Sequence, residues 1–221
     1  MKQIRLCVFD MDGLLIDSEK VYLINALKTS EVYGYGLSRE FIISTIGLNA
    51  TETRKRYLQV NGEDFPFEEF MEKEWVFHEE YLRKNPMEKK KGVDELFEFL
   101  DSNHIQKALA TSTSRKHALS YLESVDLENC FDHIVFGDDL TESKPRPEIY
   151  LKAISAFPYE KDEILAFEDS SNGILSAYNA GLNVIHIPDI SYVSDEVKEK
   201  SFIVLDDLTQ AIKLIQDINQ R

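Results

Sequence analysis

The chain has 221 residues, 43% of them apolar, and a formal charge of −15 from 40 acidic and 25 basic side chains. Such a length can bury a full core and has room for one domain with a sizeable insertion or for two small ones. No stretch approaches 18 uninterrupted apolar residues, which excludes a membrane-spanning helix, and the acidity argues against nucleic acid, whose affinity comes from Lys and Arg.

The first element is a mostly apolar run at residues 4–9, which predicts a buried strand with Cys7 as a small hydrophobe inside it. The run breaks at Asp10-Met11-Asp12-Gly13, too short and without the cleavage pattern of a secretory leader. Cys7 and Cys130 form no disulfide framework and no metal spacing, so a reducing cytoplasm is the expected location. Successive strand side chains point to opposite faces, so Asp10 and Asp12 can share a side as the chain leaves the sheet. Two carboxylates held together raise each other's pKa and need a cation or a shared proton.

From about residue 19 to 85 the apolar positions recur at helical spacing, with no convincing strand. Val21, Ile24, Leu27 and Val32 predict a helix that stops at Gly34-Tyr35-Gly36. Ser38 is placed to cap a second helix carrying Phe41, Ile42 and Ile46. Pro66 suits the first turn of a later helix, with Phe67, Phe70, Met71, Trp75, His78, Tyr81 and Leu82 on one broad face. That stripe reads as the core of a small helical bundle, with a substrate-pocket lining as the second reading. The run Glu88-Lys89-Lys90-Lys91 reads as a solvated stretch of charge.

After Gly92 the rhythm alternates. Val93, Leu96, Phe97 and Leu100 predict an amphipathic helix, followed by a strand at 107–111, a helix at 116–125 and a strand at 133–136. Pro147 opens another helix, then come a strand at 163–168, a helix at 171–180 with Gly181 beyond it, and strands at 184–187 and 202–205. Strands separated by helices of this length predict right-handed crossovers and a parallel sheet covered on both faces. The expected fold is therefore α/β, a doubly wound, Rossmann-like parallel-sheet core of residues 1–15 and 89–221. Residues 16–88 are expected to form an inserted α-helical domain.

Ligands of such sheets sit at the carboxyl ends of the strands. There the chain places Asp10 and Asp12, then Thr111-Ser112-Thr113-Ser114, then Gly137-Asp138-Asp139 with Ser143-Lys144-Pro145, and finally Glu168-Asp169-Ser170-Ser171. Singly, each has a plain explanation as a cap, a loop lysine or a helix-dipole partner. Together they form an acidic cluster that is costly without a cation. Mg²⁺ takes hard oxygen ligands and keeps several waters, so Asp10, Asp169 and a main-chain carbonyl, that of Asp12, are expected to hold it. Glu168 is expected either as a further ligand or as a partner of Asp169. Asp10 is expected to attack phosphorus and form an aspartyl-phosphate, with Asp12 carrying the proton to the leaving oxygen. Thr111 and nearby main-chain N–H groups would hold a phosphate oxygen, and Lys144 would neutralise the phosphoryl charge.

The ordered set resembles the haloacid dehalogenase superfamily of aspartyl-phosphate hydrolases over essentially the whole chain. The run from Asp10 to Glu19 resembles its first motif, Thr111 its second, Lys144-Pro145 its third, and Glu168-Asp169 with Gly173 its fourth. The resemblance implies that residues 16–88 are a helical cap that closes over a small phosphorylated metabolite and excludes water. Linkers at 15–19 and 85–92 would be its hinges. Asp12 also argues against dehalogenation, because a halide needs no proton. The β-phosphoglucomutase-like branch is similar in its core but uses a His after the first motif and a basic residue in a Gly-containing cap loop. Here Tyr22 and Gly47-Leu48-Asn49-Ala50 stand at those places, which favours a hydrolase over a phosphomutase. The core segments look most like phosphatases of sugar phosphates or of pseudouridine 5′-phosphate. A catalytically silent sugar-phosphate sensor is the third reading. Substrate and phosphate contacts are expected from Thr111, Ser112, Lys144, Glu19, Tyr22, Asn49 and Arg115, and the chain is expected to be a monomer.

Overall fold

Two residues in every four of the first strand face each side of the sheet, and all four are fully buried. The computed structural model describes residues 2–220. Leu6 and Val8 enter one apolar layer, and Cys7 and Phe9 the other, as the period-two geometry of a strand requires. This strand, β1 (Leu6–Phe9), is joined by β2 (Gln106–Ala110), β3 (His133–Val135), β4 (Ile164–Glu168), β5 (Asn183–His186) and β6 (Ile203–Val204). The sheet is parallel throughout, in the order β3-β2-β1-β4-β5-β6. The expected α/β doubly wound core is therefore the fold observed.

Helices α5 (Val93–Ser102), α6 (Arg115–Ser124) and α10 (Thr209–Asn219) cover the Phe9 face. Helices α7 (Glu148–Ser155) and α8 (Ser171–Asn179) cover the Val8 face, and the short α9 (Asp195–Lys198) adds Val197 at its edge. Phe9 stacks on Phe167 at 4.8 Å between ring centres and meets Phe97 at 5.2 Å. Such aromatic pairs contribute about 0.5–1.5 kcal/mol beyond their buried area. The strand beneath the site is thus clamped by its own side chains.

Between β1 and α5 lie α1 (Ser18–Tyr33), α2 (Arg39–Ile43), α3 (Ala50–Asn61) and α4 (Phe67–Lys84). They gather a separate apolar cluster of Leu23, Ala26, Leu37, Ile42, Ile46, Tyr57 and Phe70. As the glycine pair predicts, α1 ends where Gly34 takes a left-handed φ of 73°. Ser38 Oγ accepts the Phe41 N–H at 3.1 Å and caps α2, while Pro66 stands just before α4. No helix among the described residues is long and apolar enough to cross a membrane.

The expected elements include neither α3 nor the short α9 nor α10. Only Tyr57 is buried along α3, so it has no apolar stripe to detect. Its signal is the cap instead: Asn49 Oδ1 accepts the Glu52 N–H at 2.9 Å. α10 does carry a stripe, Ala211, Ile215 and Ile218, beyond the last expected strand.

The two linkers run side by side, with Asp17 N–H donating to Glu88 at 2.9 Å and Lys90 N–H to Leu15 at 2.9 Å. The charge run in the second linker is not simply solvated. Lys90 Nζ reaches Asp17 at 3.2 Å and Asp189 at 2.5 Å, tying both linkers to the loop after β5. Lys89 and Lys91 pair with Asp94 and Asp207.

Candidate active site

The strand order reverses direction between β1 and β4, and there the crossovers leave opposite faces of the sheet and open a crevice. Phe9 pairs with Phe167 across that boundary, so Asp10 and the Glu168-Asp169 pair emerge side by side. Asp10 N–H donates to the Phe167 carbonyl at 3.1 Å, which holds this end of the strand in place.

Lys144 sits at the centre. Its Nζ lies 2.7 Å from Asp10 Oδ1 and 2.6 Å from Glu168 Oε1, and only 6% of the residue is exposed. Burial disfavours the ammonium, but Asp10 and Glu168 outweigh burial and hold its pKa above the ordinary lysine value. The Tyr150 hydroxyl donates to the same Glu168 oxygen at 2.5 Å. Burial and the Glu168 charge keep that phenol protonated, its pKa well above the usual one.

Asp10 itself is pushed up to about 7 by burial, with Lys144 opposing and Glu168 and Asp12 adding. Asp169 is pushed well above the carboxylate range, by burial first and then by Asp10, Glu168, Glu19 and Asp189. Asp169 Oδ1 and Glu168 Oε2 are buried with no hydrogen-bond partner among the described residues. One oxygen from each of Asp10, Glu168 and Asp169 lies within 4.8 Å of the others. Orphaned, mutually repelling hard oxygens are the donor set of a divalent cation such as Mg²⁺. The residues fit one.

Glycines permit the approach. A Cβ on Gly13, whose φ is 75°, would fall 2.5 Å from Asp169 Oδ2 and 3.0 Å from Asp189 Oδ2. At Gly173 the Glu168 carboxylate occupies the place a Cβ would need. Residues with side chains at either position would displace the carboxylates.

Asp12 is treated differently. Its Oδ1 accepts the Ser18 hydroxyl at 2.8 Å, and its Oδ2 accepts Thr113 at 2.7 Å and Thr111 at 3.3 Å. The side chain is therefore held by hydroxyls, apart from the three clustered carboxylates. Any part Asp12 takes in holding a cation falls to its main chain.

A cavity of about 840 Å³ opens over these groups, between the sheet edge and the helical block. Asp10, Asp12, Lys144, Asp169, Ser112, Glu19 and Asn49 all line it, as do Thr113 and Ser18. Two expected contacts fall outside. Thr111 is fully buried, its hydroxyl committed to Asp12 and to the Thr113 N–H at 3.0 Å, so it buttresses the site from behind. Arg115 turns away: its guanidinium pairs with Asp139 at 3.0 and 3.2 Å and lies 4.2 Å over the Phe136 ring. Its position at the start of α6 explains both expectation and outcome, since one acidic loop residue captures it before it reaches the cavity.

The α4 stripe divides rather than acting as one face. Phe70 enters the helical core, Phe67 and Met71 pack against that core and also line the cavity, Trp75 and His78 line the cavity, and Tyr81 and Leu82 pack against the core of the sheet domain. Trp75 stacks on His78 and also meets His117 of α6 at 4.5 Å, while His78 Nε2 shares a 2.8 Å hydrogen bond with Tyr121. The block also docks through the loop before α3. Asn172 donates to the Gly47 carbonyl at 3.2 Å, and Asn49 to the Lys144 carbonyl at 3.4 Å. Ser18, Thr113, Tyr150 and Glu74 were not legible as site residues. Ser18 and Thr113 sit inside motifs already visible, Glu74 is an acid on an apolar face, and Tyr150 carries no local signal.

Comparison with known proteins agrees with this arrangement. A family profile described as "Haloacid dehalogenase-like hydrolase" matches residues 7–187. A phosphorylated carbohydrates phosphatase of Thermotoga maritima is 35% identical over 184 residues, covering 81% of this chain and 82% of that one. A Drosophila melanogaster protein named "Probable pseudouridine-5'-phosphatase" is 32% identical, covering 86% and 84%. A crystal structure of a Thermotoga maritima protein assigned as a beta-phosphoglucomutase superposes with a TM-score of 0.78 at 26% identity. It covers 97% of this chain and 100% of that chain.

Proposed function

The chain belongs to the haloacid dehalogenase-like hydrolases and is a phosphatase of small phosphorylated metabolites, and on that premise we propose how its residues divide the reaction. The reading is a Mg²⁺-dependent hydrolase of a sugar phosphate or nucleoside monophosphate, with Asp10 as nucleophile. The observation that carries it is the contrast between the two aspartates. Asp10 is buried, bound to Lys144 and clustered with Glu168 and Asp169, whereas Asp12 is held apart by Ser18 and Thr113.

An Asp10 oxygen attacks phosphorus, the phosphoester bond breaks, and Asp12 delivers a proton to the departing alcohol oxygen. Asp12, now ionised, takes a proton from water as that water attacks the aspartyl-phosphate, which returns Asp10 and releases inorganic phosphate. The hydroxyls of Ser18 and Thr113 orient Asp12 for both transfers. Lys144 keeps one Asp10 oxygen in place and balances charge developing on the phosphoryl group. Glu168, anchored by Tyr150, fixes Lys144 in turn. Asp10, Asp169, Glu168 and the Asp12 main chain would hold Mg²⁺, which when bound offsets the carboxylate charge and polarises the phosphoryl oxygens. The helical block excludes bulk water from the cavity. Residues 16–88 act in this reading as the cap, with the linkers as hinges.

The test is phosphate release from a panel of sugar and nucleoside monophosphates, with and without a chelator. Activity should vanish with EDTA and return with Mg²⁺. Asp10→Asn should lower kcat by about 10⁴-fold or more, the scale on which removal of a nucleophile acts. Wild-type turnover in that variant would overturn the assignment. A phosphomutase would instead isomerise a hexose phosphate when given a bisphosphate activator. The 47–50 loop, without Arg or Lys, speaks against it.

A further inference from the structure

Glu74 is a buried carboxylate of the cavity wall that the hydrolytic chemistry leaves unused. It sits mid-helix on α4, is 3% exposed, and lines the cavity on the side of the helical block. Its Oε1 is buried without a hydrogen-bond partner among the described residues. His78 Nδ1, one turn along, stands 3.7 Å away, beyond hydrogen-bond length, and the other nitrogen of that ring is engaged with Tyr121. A buried carboxylate oxygen with no donor is costly, and a hydroxyl of a ligand entering the cavity can supply the missing donor.

The charges around it narrow that ligand. The cavity is lined by the carboxylates of Asp10, Asp12, Glu19, Glu74 and Asp169, and by a single lysine, Lys144, already paired with Asp10 and Glu168. No arginine among the described residues lines it. The remaining wall near Glu74 carries Tyr22, Thr45, Met71, Trp75 and the imidazole of His78, and His117 lines the cavity from α6. At about 840 Å³ the space accommodates a phosphoryl group and an organic group of sugar or nucleoside size.

Building on the phosphatase reading, we propose that Glu74 is a specificity-determining residue. It accepts a hydrogen bond from a hydroxyl of the leaving alcohol, and its charge repels any second anionic group. The substrates are monophosphates of uncharged, hydroxyl-bearing alcohols. Bisphosphates and phosphorylated carboxylic acids are poor substrates, because the second anion meets carboxylates where, among the described residues, the one lining lysine is already paired and no arginine stands by. Two like charges a few ångströms apart in such surroundings repel appreciably more than in bulk water.

The test uses pairs matched in length that differ only in one terminal group. Sorbitol 6-phosphate is compared with 6-phosphogluconate, and glycerol 3-phosphate with 3-phosphoglycerate, by kcat/KM in the Mg²⁺-loaded enzyme. p-Nitrophenyl phosphate serves as a generic ester. Wild type should favour the polyol over the acid by about 30-fold or more in the six-carbon pair. Glu74→Gln, which keeps the shape but removes the charge, should narrow that ratio at least fivefold, mainly through a lower KM for the acid. A wild-type ratio near one, or a ratio unchanged by Glu74→Gln, overturns the proposal while leaving the phosphatase reading intact. Absence of turnover on all five esters, p-nitrophenyl phosphate included, overturns the phosphatase reading instead. The wild-type ratio decides the question even if the variant folds poorly.

Discussion

The floor of the cavity and its roof are built on opposite principles. The floor, at the ends of β1 and β4, is charged, buried and held by mutual contacts: Lys144 to Asp10 and Glu168, Tyr150 to Glu168, and three hydroxyls to Asp12. The roof, from α1 and α4 with the loop before α3, is largely aromatic, aliphatic and neutral polar, with Glu74 the carboxylate that α4 brings to it. A rigid parallel sheet suits groups that must meet a phosphoryl centre within fractions of an ångström. A helical block with its own core can change its lining without disturbing that geometry.

Substitutions can break this contrast. The largest effect is expected in the floor. Asp12→Asn should lower kcat by about 10²–10⁴-fold, the range for a lost general acid–base group. The loss should be smaller for p-nitrophenyl phosphate, whose phenolate leaves without a proton, and a leaving-group series in kcat checks it. A loss that is the same for good and poor leaving groups would remove Asp12 from protonation of the leaving oxygen.

In the roof, Trp75→Ala should act on KM. Removing the indole deletes its contacts with His78 and His117 and opens one wall between α4 and α6. KM is expected to rise about tenfold for the better substrates, with kcat changed less and the substrate ranking altered. A uniform fall in kcat like that of Asp12→Asn would mean that roof and floor act as one unit.

The smallest effect lies where the two meet. Glu19, on the first turn of α1, is half-buried at the cavity wall, and its pKa is raised well above the ordinary glutamate value by burial and then by Asp12, Asp189 and Asp10. The folded state therefore binds this proton more tightly than the unfolded chain does. The stability Glu19 contributes is fully present below its unfolded pKa and is lost as pH rises through the folded one. Glu19→Gln should raise the melting temperature by a few degrees at pH 8 without divalent cation, and the gain should disappear near pH 4. Thermal unfolding of both proteins at the two pH values measures it, and a gain independent of pH would contradict the shift.

Much of the floor was legible because its residues follow strand ends. A parallel sheet brings such ends together whatever the details, so Asp10, Asp12, Lys144 and Asp169 could be grouped before any coordinates. Thr111 and Arg115 show the limit. Both sit near a strand end, but one hydroxyl is directed behind Asp12, and one guanidinium is captured by Asp139. Which way a side chain turns depends on partners distant in sequence. The α4 stripe shows the same limit for periodicity. Helical spacing shows that Phe67, Phe70, Met71, Trp75 and His78 share a broad face, but not that this face borders both a core and a cavity.

By itself the sequence determined the parallel sheet, the inserted helices and the ordered groups of phosphoryl chemistry, because periodicity and strand-end position are local properties of the chain. The tertiary structure alone decided how the two aspartates of the opening motif differ. Asp10 is drawn to Lys144, 134 residues away, and Asp12 to hydroxyls on two separate segments. It also decided that Glu74 faces a cavity without a donor, since burial and an unmet hydrogen bond exist only once α4 is set over the sheet.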